Sequence, residues 1–244
     1  MEFGVFDHVD RSHLPLHEYF EARLELVERY DQAGFYSYHI AEHHSTPLGL
    51  SPSPSVFLAA VAQRTKRLRF GPMIYALPLY NPFRLLEEIC MLDQMSAGRV
   101  DMGFGRGASP IELGMFGIEP ADAENIYGEA LKIILQGMTE QRLNFKGDFY
   151  TYDDVPVALE PFQKPYPPMW YGIHTPESAD RAARRDLNVL SLDDSALTKT
   201  LTHSYRAART EMGKNSEPEL KIGIGRFIVL ADTDDEALSI ARRA

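Results

Sequence analysis

The sequence contains little that could form covalent cross-links or cross a bilayer. Cys90 is the single cysteine among 244 residues, which excludes an internal disulfide and any metal site built from several cysteines. No run of about 18 apolar residues is present, so a hydrophobic membrane-spanning helix is excluded. The opening residues, Met1-Glu2-Phe3, do not resemble a signal peptide. Together these absences predict a soluble protein of the reducing cytoplasm.

Positive charge is also in deficit, with 25 Lys and Arg against 35 Asp and Glu and a net charge of −10. This balance disfavours nucleic acid or an anionic membrane as the main partner, although a local basic pocket for a small anion is compatible with it. Hydrophobic residues make up 44% of the chain and charged residues 25%, as in an ordinary globular protein. The length suits one large domain or two small ones.

Short apolar runs alternate with segments of helical periodicity along the whole sequence. Strands are predicted at residues 1–6, 36–41, 69–75, 100–104, 169–173, 188–192 and 220–231. Helices are predicted at residues 16–33, at 55–63 with Ser55 as the cap, and at 82–96, 124–140, 177–185, 196–212 and from 235. Residues 144–168, rich in proline and aromatics, predict a hairpin or wrapped loop that is inserted into this order.

Repeated strand–helix units predict parallel strands joined by right-handed crossovers. An open doubly wound sheet and a closed (β/α)8 TIM barrel both meet this pattern. Seven predicted strands leave a barrel without its last strand, and residues 241–244 end the sequence within an amphipathic helix. We therefore expect a single barrel domain over residues 1–244 that lacks its final strand and helix.

Side chains that follow the carboxyl ends of parallel strands converge on one site. Glu42, His43 and His44 follow the second predicted strand. Imidazole suits proton transfer near neutral pH, and successive residues of an extended segment point in opposite directions, so one histidine would face the pocket while the other braces the loop through Glu42. A polar loop with two surface imidazoles is the alternative. A metal site is disfavoured because no partner stands at H-E-x-x-H spacing.

A glycine-rich segment, residues 103–108, ends the fourth predicted strand and matches G-x-G-x-x-G/A. A dinucleotide site is disfavoured there because residues 111–120 do not predict a prompt crossover helix and no acidic strand end follows about 20 positions later. The glycines would instead let the backbone approach a flat ligand, with Arg106 as a planar cation for phosphate. A tight turn with an exposed arginine is the alternative.

The start of the helix after the fifth predicted strand is the third candidate. His174, Thr175 and Ser178 bring hydroxyls and backbone N–H groups to a helix N-terminus, where the dipole attracts anions. Simple helix capping by Thr175 or Ser178 explains the same residues. With Arg106 on a neighbouring strand end, this helix start would form a phosphate clamp.

Three segments, taken together, resemble the bacterial luciferase-like, flavin-dependent monooxygenase family. They are Ala41-Glu42-His43-His44, then Asn81-Pro82-Phe83-Arg84 continuing through Leu92-Asp93-Gln94-Met95-Ser96 to Gly98-Arg99, and then Gly103, Gly105, Arg106 and Gly107. Residues 3–6 and 230–237 fit the same family, so the resemblance extends over nearly the whole chain. Members of the family are usually longer, with a mobile loop and an eighth strand beyond the matching region.

The resemblance implies a (β/α)8 barrel that uses reduced FMN and O2, often as a homodimer. It implies His43 as the catalytic histidine, Arg106 as the phosphate-binding arginine, and His174, Thr175 and Ser178 as further phosphate ligands. His174 stands where some relatives have an acidic residue. A non-proline cis peptide is implied near Met73 and Ile74, which with Gly105 would line the isoalloxazine.

The implied reaction is that of a two-component monooxygenase supplied with reduced FMN by a separate NAD(P)H:flavin reductase. A flavin C4a-hydroperoxide would oxygenate a small apolar aldehyde, ketone or related substrate, and His43 would hydrogen-bond the peroxide or transfer a proton. A deazaflavin (F420)-dependent oxidoreductase and a non-catalytic flavin-binding protein are the two alternatives.

Overall fold

The structure is a computed structural model that describes residues 1–107, 109–214 and 220–243. The chain divides into two compact units, Met1–Gly172 and Ile173–Ala244. A single barrel domain over the whole chain therefore stays a prediction.

The first unit alternates strands and helices in the order that the apolar pattern predicts. Its strands are β1 (Gly4–Asp7), β2 (Ser37–Ile40), β3 (Arg69–Pro72), β4 (Tyr75–Ala76), β5 (Met102–Gly105), β6 (Arg142–Lys146), β7 (Thr151–Pro156) and β8 (Met169–Gly172). Its helices are α1 (Leu16–Ala33), α2 (Pro54–Arg64), α3 (Pro82–Ser96), α4 (Pro110–Met115) and α5 (Ala123–Thr139), with a 3-10 turn at Leu77–Leu79.

Parallel pairing aligns the carboxyl ends of the strands in this unit. Strand β2 lies between β1 and β3, with Ser37 opposite Gly4 on one side and Arg69 on the other. Strand β5 lies between β4 and β8. Every residue of β2 is buried, which is typical of a parallel strand covered on both faces. Within each of these two sets of paired strands, the loops that follow the strands therefore emerge at one edge.

The third predicted strand, residues 69–75, is interrupted in the structure. Strand β3 ends at Pro72 and β4 begins at Tyr75, with a cis peptide between Met73 and Ile74. The prediction of one continuous strand is wrong here, because proline has no backbone N–H to donate to a ladder. The non-proline cis peptide lies where the family resemblance implies it.

Helix boundaries follow the local capping chemistry. Helix α1 ends at Ala33 and is followed by Gly34 as its C-terminal cap. The φ of Gly34, 82°, is the left-handed conformation that glycine adopts readily. Asn81 caps α3 by accepting a hydrogen bond from the Arg84 backbone N–H at 3.1 Å. The predicted cap at Ser55 is wrong, because α2 begins earlier, at Pro54, a residue suited to the first helical position. The Ser55 hydroxyl instead lies 2.9 Å from the Tyr75 hydroxyl.

The predicted insertion contains the antiparallel hairpin β6–β7. Its strands begin slightly earlier than predicted, at Arg142, and residues 157–168 continue without regular structure. The sequence of residues 111–120 does not predict a regular crossover helix. The structure has a short helix of six residues there, α4, which lies between β5 and the longer α5.

The second unit contains α6 (Pro176–Arg184), β9 (Asn188–Ser191), α7 (Ser195–Glu211), β10 (Ile222–Ile224) and α8 (Asp234–Ala241). Strand β10 pairs in parallel with β9, with Ile222 opposite Val189. The predicted strand over residues 220–231 is too long. Phe227, Ile228 and Leu230 are exposed, so burial does not support a strand beyond Ile224. Within the described ranges, no helix combines the length and apolarity needed to cross a membrane.

Candidate active site

The loop after β2 places two adjacent histidines against two different carboxylates. His43 Nδ1 lies 3.2 Å from Glu112 Oε1, and His44 Nε2 lies 3.0 Å from Glu42 Oε1. The side chains of His43 and Glu112 are 37% and 16% exposed, against 14% and 1% for His44 and Glu42. The second histidine thus braces the loop through Glu42, as predicted from the alternation of side chains, and the first stays accessible.

Glu42 is the anchor of this loop. Its Oε2 accepts hydrogen bonds from the Tyr80 hydroxyl at 2.8 Å and from the Ala76 backbone N–H at 3.2 Å. Burial, and then the negative charge of Glu42, raise the pKa of Tyr80 far above its usual value. The carboxylate therefore ties strand β4 to the loop that follows β2.

His43 is held from the side by close neighbours. Its ring stacks on that of His8, with centroids 6.1 Å apart and planes 12° from parallel. A Cβ on Gly49 would lie 2.9 Å from His43 Cβ and 3.3 Å from the His8 backbone oxygen. Only a glycine lets the chain pass this close, so Gly49 contributes to the position of the imidazole.

Glu112 was not singled out by sequence reasoning. It lies in the first turn of α4, where Ser109 accepts a hydrogen bond from its backbone N–H at 3.2 Å. Its Oε1 also accepts from the His44 backbone N–H at 3.0 Å. The signal available was the S-x-x-E spacing of Ser109 and Glu112, a typical helix start, but nothing in that spacing indicates His43 as a partner.

Met73, Ile74 and Gly105 lie at the adjoining strand ends. Met73 is buried and Ile74 is half-buried. A Cβ on Gly105 would lie 2.6 Å from Ile74 Cδ1, so the Ile74 side chain packs directly on this glycine. Two of the three residues expected to line a flavin ring are thus in contact and form an apolar surface.

Arg106 follows that surface and extends into solvent. Its side chain is 55% exposed, and its Nη1 lies 3.8 Å from Glu124 Oε2, a long ion pair between exposed groups. Most of its donors remain available for an anion. The last residue of the glycine-rich motif, Ala108, lies outside the described residues.

The second unit contains the other expected phosphate ligands, and here capping occupies the hydroxyls. Thr175 Oγ1 accepts from the Ser178 backbone N–H at 3.2 Å, while Ser178 Oγ accepts from the backbone N–H groups of Thr175 and His174 at 3.0 and 3.2 Å. Ser178 Oγ also donates to the Thr175 carbonyl at 2.7 Å. His174 is exposed, with Nδ1 3.2 Å from Asp193 Oδ2. His174 and the Thr175 hydroxyl remain more accessible than the buried Ser178.

Cys90 lies on α3 with its side chain buried. Burial raises the pKa of its thiol to about 12, which makes it an unreactive core residue.

Comparison with known proteins shows the family of the chain. The family model described as luciferase-like monooxygenase matches residues 1–244. The chain belongs to that family. The resemblance inferred from the three sequence segments is therefore confirmed, as is the assignment to the luciferase-like oxidoreductases.

Individual members of the luciferase-like monooxygenase family match over nearly the whole chain. An uncharacterised protein, y4wF, of Sinorhizobium fredii is 42% identical over all of this chain and 71% of its own length. The oxygenase component of a flavin-dependent trigonelline monooxygenase from Acinetobacter baylyi is 26% identical over 97% of this chain and 67% of that protein.

A solved structure supports the fold assignment. The crystal structure of the monooxygenase RslO1 from Streptomyces bottropensis superimposes with a TM-score of 0.91 and 28% identity, covering all of this chain and 76% of that one. The predicted fold class, an α/β TIM barrel of the luciferase-like type, is confirmed by this likeness.

The residues of the first unit fit a flavin mononucleotide. The apolar surface of Ile74 on Gly105 suits one face of an aromatic ring system, and Arg106 presents a guanidinium that its long pairing with Glu124 leaves largely free. The imidazole of His43, which contacts Glu112 on the helix after β5, completes the set.

Proposed function

We propose that this chain acts as the oxygenase of a two-component, flavin-dependent monooxygenase that uses reduced FMN and O2 on a small apolar aldehyde, ketone or related organic substrate. The observation that carries the proposal is the position of His43. Its imidazole is 37% exposed and contacts Glu112 through Nδ1, and no described residue hydrogen-bonds Nε2.

Contacts within the first unit support a common site for His43, Ile74 and Arg106. Glu42, next to His43, bonds the Ala76 backbone N–H, two residues after Ile74. Glu112, six positions after Arg106, bonds His43 itself. These two hydrogen bonds tie the loop after β2 to strand β4 and to α4, the helix that follows β5.

Reduced FMN, when bound, would supply the electrons that activate O2. The chain's own contribution is binding, orientation and proton handling. Arg106 would donate charge-assisted hydrogen bonds to the phosphate, and Met73, Ile74 and Gly105 would contact the ring system. His43 would hold or accept a proton at Nε2 next to the reacting oxygen. His174, Thr175 and Ser178 are proposed as further phosphate ligands; the hydroxyls of Thr175 and Ser178 also serve the helix cap.

A separate NAD(P)H:flavin reductase is proposed as the partner. The Acinetobacter relative is named as an oxygenase component, which supports a division of labour between two proteins. A homodimer and a cytoplasmic location stay predictions from the sequence.

Oxygen consumption with chemically reduced FMN and a panel of aldehydes and ketones tests the proposal. We expect substrate-dependent product formation, and the loss of that product in His43→Ala with FMN affinity nearly unchanged. Binding of FMN without any oxygenated product would favour a flavin-binding protein instead. Anaerobic hydride transfer with reduced F420 would favour the deazaflavin alternative.

Arg106 provides the binding test, with Arg84→Ala as the matched control. Arg84 is an exposed arginine paired with Glu88 on α3. We expect Arg106→Ala to weaken FMN binding by roughly 10- to 100-fold, the value of one or two charge-assisted hydrogen bonds. Equal affinity in the two variants would remove Arg106 from the site.

A further inference from the structure

One carboxylate oxygen, Oε1 of Glu112, contacts two groups of the histidine loop. It lies 3.0 Å from the backbone nitrogen of His44 and 3.2 Å from Nδ1 of His43. A backbone N–H can only donate a hydrogen bond, so this oxygen acts as an acceptor there. The same oxygen then faces Nδ1 of His43 as an acceptor too.

An acceptor opposite Nδ1 determines which nitrogen of His43 carries the hydrogen. A neutral imidazole has one N–H donor and one bare nitrogen, and the hydrogen bond at one nitrogen selects the tautomer. Two bare acceptors facing each other would repel. Nδ1 must therefore carry the hydrogen, which leaves Nε2 with its lone pair.

We propose that Glu112 is a positioning residue that holds His43 in the Nδ1–H tautomer, so that Nε2 is available to accept a proton. This inference rests on the proposed function for its catalytic consequence, whereas the assignment of the tautomer rests on the two contacts of Glu112 Oε1. His43 would enter the reaction as a proton acceptor, and would become a donor only after taking up a proton.

His44, the neighbouring residue, provides an internal reference. Its Nε2, and not its Nδ1, lies 3.0 Å from Glu42 Oε1. The second oxygen of that carboxylate accepts hydrogen bonds from Tyr80 and Ala76. The same reasoning assigns His44 the Nε2–H tautomer. Two consecutive histidines are thus expected in opposite tautomers, each selected by its own glutamate.

The experiment is two-dimensional ¹H–¹⁵N spectroscopy of the imidazole rings of the full ¹⁵N-labelled chain, near pH 9, where an ordinary histidine is neutral. Loss of signals in His43→Asn and His44→Asn assigns the two rings. We expect the Nδ1–H pattern for His43 and the Nε2–H pattern for His44. An Nε2–H pattern for His43 in the unmodified protein would overturn the proposal.

Three substitutions separate positioning from simple support of the fold. Glu112→Ala removes the acceptor and is expected to shift His43 toward the Nε2–H pattern, whereas Glu112→Gln keeps a carbonyl oxygen and is expected to retain Nδ1–H. Glu119→Ala, at an exposed carboxylate seven residues further on, is the matched control and should change nothing. A far-ultraviolet circular dichroism spectrum equal to that of the unmodified protein shows that the fold persists in each variant.

A kinetic readout connects the tautomer to the reaction. If oxygenation occurs, Glu112→Ala should lower kcat at least 10-fold with little change in FMN affinity, and Glu112→Gln should restore most of it. An unchanged His43 pattern in Glu112→Ala would refute the positioning role even in an active enzyme. A shifted pattern in a protein without oxygenase activity would refute the proposed function and leave the tautomer assignment standing.

Discussion

His43 and His44 are neighbours in the chain, yet their surroundings differ in kind. Glu42 is almost wholly buried, the His44 side chain is 14% exposed, and the carboxylate also accepts from Tyr80 and Ala76. His43 and Glu112 form a similar pair that remains accessible to solvent. A histidine–glutamate pair therefore occurs twice with different roles. The more buried pair of His44 and Glu42 stabilises the loop, and we propose that the more exposed pair of His43 and Glu112 serves proton transfer.

The energetic consequence follows from the dielectric surroundings. Removal of one partner from a buried hydrogen-bonded carboxylate lowers the stability of the fold strongly, because the groups left behind cannot form hydrogen bonds with water instead. A half-exposed pair exchanges its hydrogen bonds with solvent at little net cost. Substitutions at the two pairs should thus separate stability from chemistry.

The largest effect is expected for Glu42→Ala. It leaves the Tyr80 hydroxyl, the Ala76 N–H and the His44 ring without their acceptor, and we expect the free energy of unfolding to fall by about 3–5 kcal/mol. Urea denaturation followed by circular dichroism measures this loss. The exposed Glu119→Ala serves as the control, and a loss for Glu42→Ala no larger than in this control would contradict the anchoring role.

The next largest loss of stability is expected for Gly49→Ala. The new Cβ would lie 2.9 Å from His43 Cβ, closer than real contacts allow, so we expect a destabilisation of about 1–3 kcal/mol and a displaced imidazole. The matched control is Gly114→Ala on α4, where an added Cβ meets nothing within 4 Å. That control should be neutral or slightly stabilising, because alanine favours the helix. Equal stability of the two variants would show that the loop containing Gly49 rearranges around the added methyl group without loss of stability.

Tyr80→Phe tests the contribution of the buried Glu42 cluster through the pH dependence of stability. Burial and the charge of Glu42 raise the pKa of Tyr80, so the folded chain keeps a proton that the unfolded chain releases above about pH 10. The contribution of this group to stability is therefore complete below pH 10 and is lost as the pH rises further. We expect Tyr80→Phe to cost about 1 kcal/mol at pH 7 and to lessen the alkaline loss.

Denaturation at pH 7 and near pH 11 measures both parts of that effect. Tyr166→Phe is the control, since no described residue hydrogen-bonds the Tyr166 hydroxyl. An alkaline loss of stability equal in Tyr80→Phe and in the unmodified protein would show that the Tyr80 proton does not matter.

The smallest effect on stability is expected for Glu112→Gln. The pair with His43 is partly exposed and the amide oxygen can still accept, so the free energy of unfolding should change by less than about 1 kcal/mol. The same urea titration measures it. A loss as large as that of Glu42→Ala would mean that the two pairs do not differ as burial suggests.

Local sequence signals predicted the elements whose ends are decided by nearby residues. Helix α1 was predicted at its observed bounds because apolar spacing and Gly34 define it, and α3 likewise between Pro82 and Gly98. The family resemblance led to the cis peptide at Met73–Ile74, which no local propensity indicates.

Features that depend on distant residues were missed or misjudged. The strand predicted over residues 220–231 needed neighbours to bury Phe227 and Ile228, and those side chains are exposed. The contact between Glu112 and His43 joins residues 69 positions apart, so composition and periodicity carry no information about it. The roles of His43, Arg106, His174, Thr175 and Ser178 stay predictions.

The shared oxygen of Glu112 has a practical consequence for protein engineering. It joins the side chain of one histidine and the main chain of the next to the opening turn of α4. Grafting the histidine loop alone into a related scaffold would deliver the imidazoles without the group that orients them. The transplantable module is the loop together with residues 109–115, moved as one piece.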